Sequence, residues 1–230
     1  MSFDLTTGLL FYVVLLVSLV VHEASHAWLA WLGGDDTAYA GGQVTLNPVP
    51  HIRREPFGTV FLPLATLFFT NGRACLGYAH APFDPVWARF HPRRAALMAA
   101  AGPLANLALA ALAFLAIKAL IAADLVNATG QFFEIQRIAQ PLDESQPWLH
   151  GLCRILSVFL GLNVLLATLN LYPVPPLDGA GVIEGLFPRV APIYDFIRSQ
   201  PFVLIPCLLA VWYTMGPIVW PVLGEIVSWL

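Results

Sequence analysis

Apolar positions along the chain fall into four long blocks, residues 8–32, 95–123, 149–171 and 201–229, separated by stretches richer in polar residues. Each block exceeds the roughly 20 residues that a helix needs to cross the hydrocarbon of a bilayer. A fifth block, residues 57–70, is apolar but only about 14 residues long, which suits a re-entrant or interfacial segment. The pattern predicts an all-α polytopic membrane protein with about four transmembrane helices and one re-entrant segment. Gly33-Gly34 is expected to end the first helix. Residues 36–50 read as extended. They carry a Gly41-Gly42 turn signal, alternation over Gln43, Val44, Thr45 and Leu46, and an Asn47-Pro48 stop. A short membrane-associated strand or hairpin is expected there, with a plain loop as the alternative. The third long helix must unwind at Tyr172-Pro173-Val174-Pro175-Pro176, because proline cannot continue it.

Composition strengthens this reading. The 230 residues are 58% hydrophobic and 11% charged, with mean hydropathy +0.73, whereas soluble domains carry about 25% charged residues. Net charge is −3 and there is no basic block, so nucleic acid is not expected as a partner. Cys75, Cys153 and Cys207 are scattered without a Cys-x-x-Cys pair and suggest neither a disulfide framework nor a thiolate metal site. The N-terminus lacks the basic region of a secretory signal. No repeat and no appended soluble domain is evident, so residues 1–230 are expected to form a single membrane domain. Many of the 19 prolines and 17 glycines lie in apolar stretches. Irregular backbone at that depth is tolerated only where it lines a protein cavity.

Charge sets an orientation. If residues 57–70 dip in and return, Arg53, Arg54, Arg73, Arg89, Arg93, Arg94, Arg189 and Arg198 share one side, leaving Lys118, Arg137 and Arg154 toward the other. The positive-inside rule then predicts a multi-pass cell-membrane protein with both termini outside and the arginine-rich loops in the cytoplasm. The first and third spans would run in the same direction.

Inside the first block lies His22-Glu23-Ala24-Ser25-His26. Histidines four apart share one face of a helix and can offer two imidazole nitrogens to one metal ion, with Glu23 beside them as a general base. A carboxylate near mid-bilayer costs roughly 2.5–3.5 kcal/mol on insertion scales, which argues for a job. A catalytic zinc site takes three protein ligands. Candidates for the third are Asp178, His51, His80, Asp84 and His91. Asp178 has the best case, since it follows an apolar helix and an unwound segment, Gly179 allows close backbone approach, and its charge with that of Glu23 would balance Zn²⁺. His22 lies ten residues before the end of its helix, ~15 Å at 1.5 Å per residue, so the two pieces can meet in the cytoplasmic half. Asn106 and Asn170 are amides in apolar surroundings that could hold a substrate backbone or an oxyanion. Interhelical hydrogen bonding is their alternative role.

These residues carry a resemblance. His22-Glu23-x-x-His26, with Asn170-x-x-Pro173-x-Pro175-Pro176-Leu177-Asp178-Gly179, resembles the site-2 protease family of intramembrane zinc metalloproteases. Gly42 to His51, Phe57-Gly58-Thr59, Gly77 to His80, His91-Pro92-Arg93-Arg94 and Ala101-Gly102-Pro103-Leu104-Ala105-Asn106 are similar to its compact prokaryotic branch, which lacks PDZ and CBS domains. The resemblance implies one Zn²⁺ per chain held by His22, His26 and Asp178, with Glu23 as catalytic base and the site near the cytoplasmic face. It also implies transmembrane proteins or peptides as substrates, in regulated proteolysis or signal-peptide clearance. A membrane metal transporter and a catalytically inactive scaffold are the competing classes. Exchangeable ligands reachable from both faces and an inverted repeat, expected of many transporters, are not evident. The substrate and the oligomeric state are not encoded in any motif.

Overall fold

The computed structural model describes residues 5–72 and 74–230. Arg73, one of the arginines in the charge tally, and residues 1–4 lie outside the described residues. Among the described residues, four helices are long and apolar enough to cross a membrane: α1 (Leu5–Leu32), α6 (Pro92–Ala122), α7 (Pro147–Asn170) and α10 (Pro201–Ser228). The shorter helices are α2 (Thr37–Ala40), α3 (Pro48–Arg54), α4 (Leu62–Phe69, entered through a π-turn at Phe57–Phe61), α5 (Pro85–Phe90), α8 (Asp178–Leu186) and α9 (Ala191–Ser199). The protein is a multi-pass all-α membrane protein, and each predicted span agrees with an observed helix to within a few residues.

Side-chain contacts fix the direction of each span. Ser18 and His22 of α1 meet Asn106 of α6, and His26 meets Met98, so α1 and α6 are antiparallel. Thr7 meets Arg154 and Ser18 meets Asn163, so α1 and α7 run the same way, as expected. Lys118 near the end of α6 donates to Trp229 O at the end of α10, which returns α10 to the level where α1 begins.

The short apolar block forms a hairpin whose turn, Asn71-Gly72, lines one cavity with Thr7, Glu134 and Arg154 at the end where α1 begins. The helix through α4 descends along α1 until Leu67 packs with Phe11, Val14 and Leu15. The chain turns at Asn71-Gly72, and residues 74–84 run back without regular secondary structure. Leu76 N donates to Thr66 Oγ1, Tyr78 N to Gly58 O, and Arg54 Nε to His80 O, so the returning segment retraces the entering helix to its start. These side-chain and main-chain bonds satisfy backbone groups that lipid could not.

Two expectations are corrected. Residues 42–46 form no strand: Thr37–Ala40 is a helical turn, the following residues are bends, and Pro48 starts α3 with Asn47 Oδ1 accepting from Val49 N. The Asn-Pro pair read as a strand stop is instead a helix cap with proline in the first turn. Alternation at Gln43–Leu46 does not mark two sheet faces, because among the described residues no strand lies beside it to pair with. The antiparallel pair that does form, β1 (Val126–Ala128) with β2 (Ala139–Pro141), lies in the polar stretch between α6 and α7. It folds back over the bundle end because Val126, Ile138 and Ala139 bury themselves in the α6–α7–α10 core, and Ala139 N donates to the buried Ser157 Oγ.

Candidate active site

His22, Glu23 and His26 sit mid-helix in α1, all at least 93% buried. Asp178 arrives from the other side. α7 ends at Asn170, the proline-rich turn follows, and α8 starts at Asp178. An ideal Cβ on Gly179 would lie 2.3 Å from Leu171 O, so only glycine allows the turn to fold back this tightly. Packing of α8 against α6 then aims Asp178 at the two histidines.

Three donor atoms form a small triangle. His22 Nε2 and His26 Nε2 are 3.0 Å apart, and Asp178 Oδ2 is 3.1 Å from the first and 3.3 Å from the second. Ligands of a tetrahedral zinc at about 2.0–2.1 Å are spaced about 3.3 Å from one another. The far side of each imidazole is occupied: His26 Nδ1 lies 2.7 Å from Met98 O and His22 Nδ1 lies 2.6 Å from Asn106 Oδ1. With its Nδ1 proton given to an oxygen, a neutral imidazole presents a bare Nε2. Two bare nitrogens facing each other at 3.0 Å beside a carboxylate oxygen without a hydrogen-bond donor are mutually repulsive unless a cation lies among them.

The floor of the triangle is backbone. A Cβ on Gly102 would stand 2.3 Å from His26 Nε2 and 2.5 Å from His22 Nε2, in the space between the donor atoms. The Ala101-Gly102-Pro103 motif therefore leaves a cradle that any side chain would fill. The donor set, the spacing and the cradle all fit zinc. Glu23 lies outside the triangle. Its Oε1 is 4.0 Å from His22 Nε2, and its buried Oε2 has no hydrogen-bond partner.

The other predicted residues separate cleanly. Among the described residues, His51, His80, Asp84 and His91 join no cluster of metal-ligating groups. Asp84 Oδ1 caps α5 by accepting from Val86 N, and His80 and His91 are exposed. His51 is 2% exposed, with Nε2 bonded to Thr45 O. Asn106 is fully buried, and its amide is committed to His22, Asn163 and Ser18, which is the interhelical role rather than contact with substrate. Asn170 stands at the C-terminal end of α7, partly exposed, with Nδ2 donating to Leu166 O. Sequence reasoning passed over Ser18, Asn163 and the steric role of Gly102. The first two were visible as lone polar residues inside apolar spans.

The family model for peptidase family M50 matches residues 10–203. The chain belongs to that family, the site-2 proteases. Membership makes it a metalloendopeptidase. Among curated relatives, "Putative zinc metalloprotease YwhC" of Bacillus subtilis is 35% identical over 179 residues, which cover 76% of this chain and 68% of that protein. "Putative zinc metalloprotease Rip2" of Mycolicibacterium smegmatis is 31% identical over 173 residues, and its Mycobacterium tuberculosis namesake is 34% identical over 170. The chain spans about half the length of the two Rip2 proteins, 54% of each. No solved structure matches the chain.

Proposed function

We propose that this protein is a zinc-dependent intramembrane endopeptidase, with zinc held by His22, His26 and Asp178 and with Glu23 as the general base. The observation that carries the reading is the 3.0–3.3 Å triangle of two Nε2 atoms and one carboxylate oxygen, closed by glycine on one side. Bound there, zinc supplies Lewis acidity toward the scissile carbonyl and lowers the pKa of a water toward about 7. Glu23 accepts the proton of the attacking water on its unpartnered Oε2 and delivers it to the leaving amine, so the carboxylate is regenerated in each turnover. Asn170 keeps one amide hydrogen free of its bond to Leu166 O and is a candidate donor to the substrate backbone.

Substrates are transmembrane proteins or peptides, locally unwound so that a peptide bond is open to attack. The site works near the cytoplasmic face. Without Arg73, the other seven of the eight arginines in the tally still belong to the end of the bundle toward which His26 points, whereas Lys118 and Arg154 contact residues of the opposite end. A cavity of about 390 Å³ lined by Leu29, Leu32, Gly33, Gly34, Arg94 and Leu97 lies at that same end.

Glu23→Gln tests the mechanism. It should retain zinc and lower cleavage of a tethered single-span substrate by at least about 10²–10⁴-fold. Cleavage at the wild-type rate would end the proposal. Asp178→Ala should lower zinc content, and an unchanged content would move the third ligand elsewhere.

A further inference from the structure

Both histidines of the triangle lean on a main-chain carbonyl, one directly and the other through a buried relay. His26 Nδ1 meets Met98 O at 2.7 Å. A carbonyl only accepts, so His26 must carry its proton on Nδ1. His22 Nδ1 meets an amide, Asn106, which can present either its oxygen or its NH₂. The orientation of that amide decides which nitrogen of His22 is bare.

That orientation is set two residues away. Asn163 Nδ2 lies 2.9 Å from Phe159 O, which accepts only, so the NH₂ end of Asn163 is fixed there. Ser18 Oγ, 3.0 Å away, accepts from the same nitrogen. Asn163 Oδ1 is then left to face Asn106 Nδ2 at 2.8 Å. Ser18 O, a second obligate acceptor, lies 3.5 Å from Asn106 Nδ2 and reinforces the same sense. Asn106 therefore turns its oxygen to His22, and His22 carries its proton on Nδ1. Ser18, Asn106 and Asn163 are all 0% exposed, so no solvent can substitute for a missing partner. Reversed amides would point an NH₂ at His22 Nδ1 and drive the proton to Nε2, into the space between His26 and Asp178.

We propose that Asn163 and Ser18 are positioning residues that fix the sense of the Asn106 amide and so keep His22 Nε2 free for the metal. The proposal rests on the metal-site reading above. It differs from simple helix-to-helix adhesion in one respect. If polarity is what matters, a side chain at position 106 that accepts through either end should make Asn163 dispensable for metal binding.

The test is zinc affinity of the purified full chain in detergent, by competition with a chromophoric chelator, beside thermal unfolding of the metal-free protein. Asn163→Leu should weaken zinc binding about tenfold, the lower range for lost support of a metal-ligating histidine. The double variant Asn106→Asp/Asn163→Leu should return to within about threefold of wild type, because a carboxylate accepts from His22 with either oxygen. Its unfolding midpoint should stay as low as that of the single variant. Wild-type affinity in Asn163→Leu, or no recovery in the double variant, overturns the proposal. Should Asn163→Leu not fold, Ser18→Ala takes its place, with about a threefold loss that Asn106→Asp repairs, and wild-type affinity in Ser18→Ala would equally overturn it. Failure of the wild-type chain to bind zinc would instead dismiss the metal-site reading, a distinct result.

Discussion

Helices α7 and α10 are equally apolar, yet 56% of the most apolar stretch of one and 11% of that of the other is buried within the protein. Hydropathy registers only that both can reside in lipid. Burial follows from what else the helix carries. The packed face of α7 presents Ser157, Gly161, Asn163 and Ala167, small or hydrogen-bonding residues that let α1, α6 and β2 approach. α10 carries Pro206, Pro217 and Pro221, and it buries only Val211, Val219, Leu223 and Val227. Phe202, Leu209, Trp212 and Tyr213 face outward. The machinery is thus confined to the helices with polar or small inner faces, and α10 closes one end of the bundle.

This contrast can be broken or sharpened by substitution. The largest effect is expected at the small-residue floor of the site. Gly102→Ala places a methyl among the ligand atoms, and zinc binding measured by chelator competition should fall by more than about 100-fold, equivalent to the upper range of overpacking costs near 3 kcal/mol. Second is Leu160→Ala in α7, at a side chain 1% exposed in the largest core cluster. It should destabilise the protein by about 2–5 kcal/mol in a denaturant or thermal series. The smallest effect is expected from the same substitution on the outward face of α10. Leu209→Ala, 62% exposed to the surroundings, should stay within about 0.5 kcal/mol of wild type. Equal costs for the two leucines would mean that α10 is covered by something other than lipid.

The four spans, the short apolar block and the helix break at Pro173 were legible because each is written in local chemistry: block length, proline and glycine. Asp178 was legible for the same reason, as a carboxylate too costly to be idle beside an apolar helix. The strand expected at residues 42–46 failed because alternation over four residues cannot distinguish a sheet edge from bends leading to the Asn47 cap. Conversely, β1 and β2 hid in a stretch whose charges dominated its few buried residues, Val126, Ile138 and Ala139. Asn106 was noticed, but its partner could not be. That His22, Asn106, Asn163 and Ser18 touch is a fact about three helices at once, and no spacing within one helix encodes it.

The bond from His26 to Met98 has a consequence for how this site tolerates mutation. Its acceptor is a peptide oxygen, which every amino acid at position 98 supplies equally, so residue-by-residue scanning of α6 cannot delete it. The support of His22 depends on side chains and can be erased by a single codon change. One half of the site is therefore written in the path of the backbone and is silent to mutational screens. The other half is written in three replaceable residues, and inherited variation in metal affinity should collect there.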